Sequence, residues 1–406
     1  MKRAERLLAI LALVALVVAY SIPILFPKRV DYLSKLETSF PEAEELRQVS
    51  QDPPIFQAFA TEDGERRLLG YIGLGSAVGY EGPILSAVVS DPQGNILRVT
   101  VLDNTEWLTW LRKVDQAGYV KGFAGRRIDD ALMLGADIDA VSSATFTSRG
   151  IADGVRQAAH AIARTQLGLP VKSVEQKLVF DRKAILAFAL WAVAIAGVIL
   201  KQNKLRWVTM LASLIGLGFW LAAPLSFSSL AALLLGRVPP FDTAHLVWYL
   251  LFGGVIATVL VFGRNLYCHW ICPFGALHEF LAVASGGGLT PSPTVGRLLR
   301  RARPVLVWGA LIFIFLTRSP STGSYEPFGT FFTRTGSGLS WALLILVLVM
   351  GLVSKRFWCL YFCPVGYTVD FLASWRRRLA KLFLGWPRKE GALAAMDASD
   401  EAEAGD

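Results

Sequence analysis

The chain has 406 residues, 53% of them apolar, and 41 Lys and Arg against 32 Asp and Glu give it a formal net charge of +9. Several uncharged stretches reach the roughly 20 apolar residues that a bilayer crossing needs, which excludes an ordinary soluble protein. Much of the excess charge lies beside those stretches and no Lys/Arg stripe is interleaved with aromatics, which excludes a nucleic-acid partner.

Residues 1–30 read as a membrane anchor. Leu7–Phe26 is uncharged and follows Lys2, Arg3 and Arg6. It exceeds the apolar core of a signal peptide, about 7–15 residues, so an uncleaved anchor is expected. Residues 31–175 are charged, Gly-rich and mixed, as in an α+β domain. Glu42–Gln48 has a helical look. Leu68–Ile72, Ile84–Ser90 and Ile96–Val101 read as strands, with turn signals at Gly79–Pro83 and Pro92–Asn95. Ile151–Leu167 reads as an Ala-rich amphipathic helix.

Residues 180–380 read as an α-helical transmembrane bundle. Ala184–Leu200, Trp207–Leu235, Ala244–Gly263, Pro304–Thr317 and Gly338–Val353 are apolar, which with the anchor makes about six spans. Trp207–Leu235 is long and holds Pro224, so a kink or re-entrant end is expected. Pro304–Thr317 is short, so it is tilted or continues past Arg318. Residues 385–406 are small and acidic and are expected to be disordered. The fold class is thus a multi-domain membrane protein. Lys201, Lys204 and Arg206 share one connection, Arg264 and Arg297–Arg303 another, and Lys355, Arg356 and Arg376–Arg378 follow the last span. The positive-inside rule then puts both termini in the cytoplasm and the α+β domain outside a bacterial inner membrane, although Lys28, Arg29, Arg182 and Lys183 lie on the wrong side.

All four cysteines fall in a motif that occurs twice, Cys268-His-Trp-Ile-Cys272-Pro273 and Cys359-Leu-Tyr-Phe-Cys363-Pro364. An aromatic precedes each first Cys, a Gly follows each Pro at the same distance, and Glu279-Phe-Leu and Asp370-Phe-Leu close the two copies. A helical backbone would put each pair on one face, and the Pro should end that helix near the second Cys. Two pairs related by duplication can converge on a four-thiolate site for iron–sulfur or zinc. The plainer reading is four small buried apolar residues. The orientation places the motifs in the reducing cytoplasm, which weighs against disulfides.

A second signal is Asp139-Ala-Val-Ser142-Ser143-Ala144-Thr145-Phe-Thr147-Ser148. On its residues alone it is a hydroxyl-rich turn that caps a helix or, with Arg149, offers a weak anion site. The stretch resembles the flavinylation motif of extracytoplasmic FMN-binding domains. The matching positions are Asp139, Ser142, Ala144 and Thr145, with Ser143 where that family usually has Gly. The resemblance implies FMN linked through its phosphate to Thr145 by a flavin transferase, with Thr147 as fallback acceptor. Gly79-Tyr80-Glu81-Gly82 and Asn104-Thr105-Glu106 are similar to the family's Gly-rich strand entry and polar flavin-side segment, which adds Tyr80 and Glu106.

Roughly residues 1–380 then resemble the membrane-bound NosR/NirI type, nearest its shorter members without a terminal ferredoxin module. That resemblance implies an electron-transfer flavoprotein. A quinol or a cytoplasmic ferredoxin or flavodoxin would be the donor, a centre on Cys268, Cys272, Cys359 and Cys363 would relay to FMN, and an extracytoplasmic redox protein or reductase would accept. The alternative is a maturation or regulatory factor for a periplasmic metalloenzyme. No substrate-turnover site stands out. His269 and His278 read as hydrogen-bonded interfacial residues, His160 as solvated and His245 as a lone histidine. Glu326 reads as an external-loop acid that serves a quinol site or pairs with Arg318 or Arg334.

Overall fold

The computed structural model describes residues 3–26, 32–62, 65–80, 82–106, 108–141, 144–172, 178–286 and 291–384. Glu81, Ser142, Ser143 and the acidic tail 385–406 lie outside the described residues. The chain divides into two units. One comprises Met1–Lys177, Ser228–Pro239 and Ala310–Ser324, the other Leu178–Phe227, Pro240–Gly309 and Tyr325–Asp406.

The first unit starts with α1 (Arg3–Leu25) and α2 (Tyr32–Ser39). Arg6–Leu25 is apolar enough to cross a membrane, and only 6% of its most apolar window is buried by the fold. Leu8, Leu13 and Val17 stand exposed, a surface that suits lipid rather than water. Five strands follow: β1 (Glu45–Gln51), β2 (Pro54–Glu62), β3 (Glu65–Val78), β4 (Pro83–Ser90) and β5 (Ile96–Asn104). They form an antiparallel meander in sequence order. Short polar turns dictate this, because a few residues can join only antiparallel neighbours. Both sheet faces are covered, so β4 is apolar almost throughout. On one face Ile55, Ile84, Val88 and Val99 meet Ile151, Val155 and Ile162 of α4 (Thr145–Gln166). On the other, Phe56, Ile72, Leu74 and Val89 pack with Leu36 of α2. α3 (Leu108–Gln116) lies between sheet and α4 in sequence.

Two expectations change here. Glu45 onward is a strand rather than a helix, paired in register Glu45↔Phe59 to Gln51↔Pro54. Its helix-favouring residues are overridden by pairing with β2, and Arg66 on β3 reaches Glu45 at 2.6 Å. Second, α4 begins at Thr145, ahead of Ile151.

The rest of the chain is helical, and within it Ser228–Pro239 and Ala310–Ser324 belong to the first unit. α5 (Arg182–Leu200) is capped by Asp181, which accepts from Ala184 N. α6 (Asn203–Ser213) runs into a π-helical stretch at Leu214–Trp220, and α7 (Phe227–Leu234) begins after a non-helical break around Pro224. Trp207–Leu235 is therefore two pieces, with the break around Pro224, where a kink or re-entrant end was expected. Backbone freed by such a break needs partners inside the protein: Leu225 N donates to Tyr267 Oη at 2.8 Å and Phe227 N to Glu326 at 2.9 Å. α8 (Leu246–Phe262), α9 (Pro273–Ala284), α10 (Pro293–Thr317), α11 (Pro327–Thr333), α12 (Gly338–Val353), α13 (Phe357–Tyr361) and α14 (Pro364–Leu384) complete the chain.

Six spans reduce to two among the described residues, Arg6–Leu25 and Arg182–Leu200, or three if α11 and α12, bent by 98°, form one broken span. α8 has 17 residues. α10 lengthens in the other direction from that expected. It takes in Arg297, Arg300, Arg301 and Arg303, and Arg318 follows it with φ of 55°.

Candidate functional site

The first site gathers at the start of α4. Ala144 is its N-cap and supplies no side-chain cap. Thr145, the first helical residue, is exposed, whereas Thr147 is buried. Thr147 Oγ1 donates to Glu106 Oε2 at 2.5 Å, and Gly82 N donates to Glu106 Oε1 at 3.3 Å. Glu106 N in turn donates to Asn104 Oδ1 at 3.2 Å. The buried carboxylate thus ties the turn at 79–82, the end of β5 and the first turn of α4.

Glycine permits this closeness. A Cβ on Gly150 would lie 2.7 Å from Gly79 Cα, and one on Gly79 would lie 2.7 Å from Glu106 Oε1. Farther along, a Cβ on Gly75 would lie 2.1 Å from Gly154 O. Helix and sheet touch through bare backbone.

Tyr80 is 38% exposed. Its ring centroid lies 6.1 Å from that of Phe146 and 6.2 Å from that of Trp110. Trp110 Nε1 is enclosed without a hydrogen-bond partner. An open helix N-terminus suits a phosphate, and three aromatic rings with an orphaned donor suit a planar ring bearing acceptors. The residues present therefore fit FMN. Of the residues singled out in the sequence, Glu106 and Thr147 are bonded to each other, Tyr80 lies beside Phe146, which follows Ala144 and Thr145 in the chain, and Asp139 lies exposed ahead of α4. Trp110 and Phe146 were not singled out by motif reading, although Phe146 adjoins Thr145. His160 is not solvated. It is half-buried, and Nε2 donates to Asp130 O at 2.7 Å.

The second site is built twice. Tyr267–Ile271 forms a π turn, and Cys272, with φ −60° and ψ 117°, caps α9. Cys272 N donates to Tyr267 O at 2.7 Å, and Cys363 N donates to Trp358 O at 2.9 Å. The aromatic before each first Cys thus plays the same backbone part in both copies. Each Pro opens a new helix, since Pro at the first position loses no hydrogen bond there. A Cβ on Gly275 would sit 3.0 Å from Cys268 O, and one on Gly366 would sit 3.6 Å from Cys359 O. Gly366 N donates to Cys363 Sγ at 3.4 Å, and Phe274 and Gly275 amides do the same for Cys272.

The four thiols share one electrostatic neighbourhood. Burial raises the Cys268 pKa first, and Cys272 and Cys359 raise it further. Burial likewise raises Cys363, reinforced by Cys359, Cys268 and Cys272. Cys359 is pushed up to about 12 by burial, against which Arg356 and Arg303 act. Cys268, Cys272 and Cys359 keep a little exposed surface, but the surrounding layer of atoms still withholds solvation. Among the described residues no three His, Cys, Asp or Glu side chains could hold a single metal ion. A cluster asks for something else, one thiolate on each of its irons. Four thiols in two pairs with backbone N–H donors turned to sulfur fit it.

Charged groups surround the pairs. Glu279, almost fully buried, pairs with Arg206 and Arg356. Asp370 pairs with Arg303 at 3.2 Å. His269 Nδ1 lies 2.9 Å from Arg356 Nη1. His278 corrects the interfacial reading, because it is fully buried and neither ring nitrogen has a partner. His245 holds Asp242 at 2.8 Å. Glu326 takes the Phe227 amide with both oxygens, and its charge raises the Cys272 and Cys363 thiols.

Comparison with known proteins agrees with both sites. A family model described as FMN-binding domain matches residues 79–160, and one described as 4Fe-4S binding domain matches 244–292 and 336–382, which contain all four cysteines. The chain is similar to the regulatory protein NosR of Pseudomonas aeruginosa, 27% identical over 33% of this chain and 20% of that protein. It is similar to NirI of Paracoccus denitrificans, 30% identical over 29% of this chain and 18% of that protein. A methylamine utilization ferredoxin-type protein, MauN of the same organism, is 32% identical over 26% of this chain and 38% of that protein. The chain thus covers about a fifth of the length of NosR and NirI. FMN and an iron–sulfur cluster are the cofactors these domains support, and the relatives support a NosR/NirI-type family.

Proposed function

We propose that this chain, of NosR/NirI type, is a transmembrane electron-transfer flavoprotein of a bacterial inner membrane. It takes electrons from a quinol or a cytoplasmic ferredoxin or flavodoxin and delivers them to an extracytoplasmic reductase. One observation carries this reading: an FMN-binding domain model and a 4Fe-4S binding domain model that takes in all four cysteines match a single chain. When bound, the two cofactors supply single-electron carriage, and the protein supplies placement and tuning.

Thr145, exposed at the uncapped start of α4, holds the FMN phosphate as a phosphoester made by a flavin transferase. Tyr80, Phe146 and Trp110 would face the ring. Glu106, Thr147 and Ala144 fix the turn that presents Thr145, and Asp139, Ser142 and Ser143 complete the motif. Cys268, Cys272, Cys359 and Cys363 would hold the iron. The basic connections beside them put the cysteines on the cytoplasmic side and the flavin domain on the periplasmic side.

A second reading is favoured by the name of one relative, a regulatory protein. There the thiols deliver or sense a metal for a periplasmic enzyme. One preparation separates the two: protein co-expressed with a flavin transferase, wild type beside Thr145→Ala, analysed by intact mass, in-gel flavin fluorescence, iron and acid-labile sulfide. FMN mass absent from the variant, with iron and sulfide in both, supports electron transfer. Labile copper without sulfide supports delivery. No flavin mass in either protein refutes the assignment of Thr145.

A further inference from the structure

The two copies of the cysteine motif brace each other, and the braces obey the duplication. Asn265 stands three residues before Cys268, and Arg356 stands three before Cys359. Glu279 and Asp370 each stand eleven residues after the first cysteine of their copy. The structure crosses these positions over. Asn265 of the first copy donates through Nδ2 to Asp370 Oδ1 of the second at 2.8 Å. Arg356 of the second copy pairs through Nε with Glu279 Oε1 of the first, as an ion pair rather than an aligned hydrogen bond. Each copy's residue before the motif thus holds the other copy's acid.

Both braces end on the backbone of the same cysteine. Asn265 Oδ1 accepts from Cys268 N at 3.1 Å, and Arg356 Nη2 donates to Cys268 O at 3.1 Å. Arg356 also reaches His269 O at 3.3 Å. On the far side Arg303 ties Asp370 to Cys363 O, at 3.2 and 3.1 Å. Arg356 reaches its place by adopting φ 54° and ψ 30°, a left-handed conformation that arginine rarely takes. Such an outlier persists only where its surroundings demand it.

We propose that Asn265–Asp370 and Arg356–Glu279 are reciprocal clasps that position the two cysteine pairs against each other for one shared cluster. They are positioning residues and do not touch the metal. The proposal rests on the reading that the four cysteines hold iron, but it makes a separate claim about thiol spacing. The clasps also differ. Arg356 brings a buried positive charge to the first motif, whereas Asn265 brings none. Loss of Arg356 therefore lowers the cluster's midpoint potential, since a nearby cation favours the reduced, more negative form. Loss of Asn265 leaves the potential of any retained cluster nearly unchanged.

The test uses the full chain purified anaerobically in detergent, as wild type, Asn265→Ala, Arg356→Gln, Asp370→Ala and Cys268→Ser. Asp370 is 48% exposed, so Asp370→Ala removes one clasp with little risk to folding. Iron-stripped samples are treated with dibromobimane, and bridged peptides are mapped by mass spectrometry. As-isolated samples are assayed for iron, sulfide and midpoint potential. The expected result is a bridge between first-motif and second-motif peptides in wild type that is lost in the clasp variants. Metal retention should weaken by about 10- to 100-fold, as for other groups that orient ligands. Unchanged bridging and iron retention in Asp370→Ala and Arg356→Gln would overturn the clasps. Wild type without iron, or iron indifferent to Cys268→Ser, would refute the cluster reading instead, and bridging would still decide the clasps.

Discussion

The flavin unit and the cysteine unit solve the same problem, holding a redox group, by opposite means. In the flavin unit the site is local. One helix start, one turn and one strand end meet through bare glycine backbone, and a single carboxylate, Glu106, joins them. A two-faced apolar core supports it, as in a water-soluble domain. In the cysteine unit the site is assembled from two distant copies, and polar and charged side chains beside the thiols do the joining, Glu279 with Arg356 buried and Asp370, held by Asn265, half-exposed. A local site can be read from a contiguous motif and tolerates loss of distant contacts. An assembled site depends on pairs that only the fold reveals.

The largest expected effect separates the two units cleanly. Cys272→Ser or Cys363→Ser should abolish iron retention while covalent flavin stays at the wild-type level. Iron and sulfide analysis beside flavin fluorescence on one gel checks this. Flavin loss in a cysteine variant would break the comparison by showing that the units fold as one.

The second effect attacks the glycine contact. Gly150→Val places atoms on Gly79 Cα, and the backbone there has no room to yield. Overpacking of this kind costs about 1–3 kcal/mol. The melting transition of the flavin unit, followed by flavin fluorescence, should fall by several degrees with iron content untouched. A third and smaller effect comes from Glu106→Ala. It leaves the Thr147 hydroxyl and the Gly82 amide without their acceptor, at about 1–3 kcal/mol for an unsatisfied buried group. Thermal melts should show a loss no larger than that of Gly150→Val, along with lower flavin incorporation.

What the sequence disclosed follows the same division. Strands β3 to β5 and helix α4 announced themselves by apolar pattern and turn residues, whereas Thr145, Tyr80 and Glu106 were proposed from a family resemblance carried by short contiguous stretches. β1 did not, because Glu, Leu and Arg favour a helix and only pairing with β2 makes it extended. About six spans were expected, and two or three helices among the described residues are long and apolar enough, because length depends on backbone breaks and only the one at Pro224 was legible beforehand. Trp207–Leu235 is apolar throughout yet interrupted at the π stretch and Pro224. The duplication of Glu279 and Asp370 was visible in the sequence. Their partners were hidden because Asn265 and Arg356 are chemically unlike.

The smallest effect concerns acid stability of the flavin unit alone. His160 is half-buried between α4 and Asp130, and its pKa is lowered. Burial is the main cause, and Arg156 and Arg164 add to it, while the hydrogen bond to Asp130 O and the charge of Asp129 oppose it. The unfolded chain therefore binds a proton that the folded one refuses, so stability is full above a pH of about 6.5 and declines as pH falls through the lowered value. His160→Gln keeps a donor for Asp130 O and removes the titration. Denaturant melts of the flavin unit from neutral pH downward should show a decline in wild type that is shallower in the variant. The transition of the cysteine unit should be the same in both proteins. Equal slopes for the flavin unit would mean that His160 takes up its proton alike in the folded and unfolded chain, and the acid sensitivity would then belong to its carboxylates.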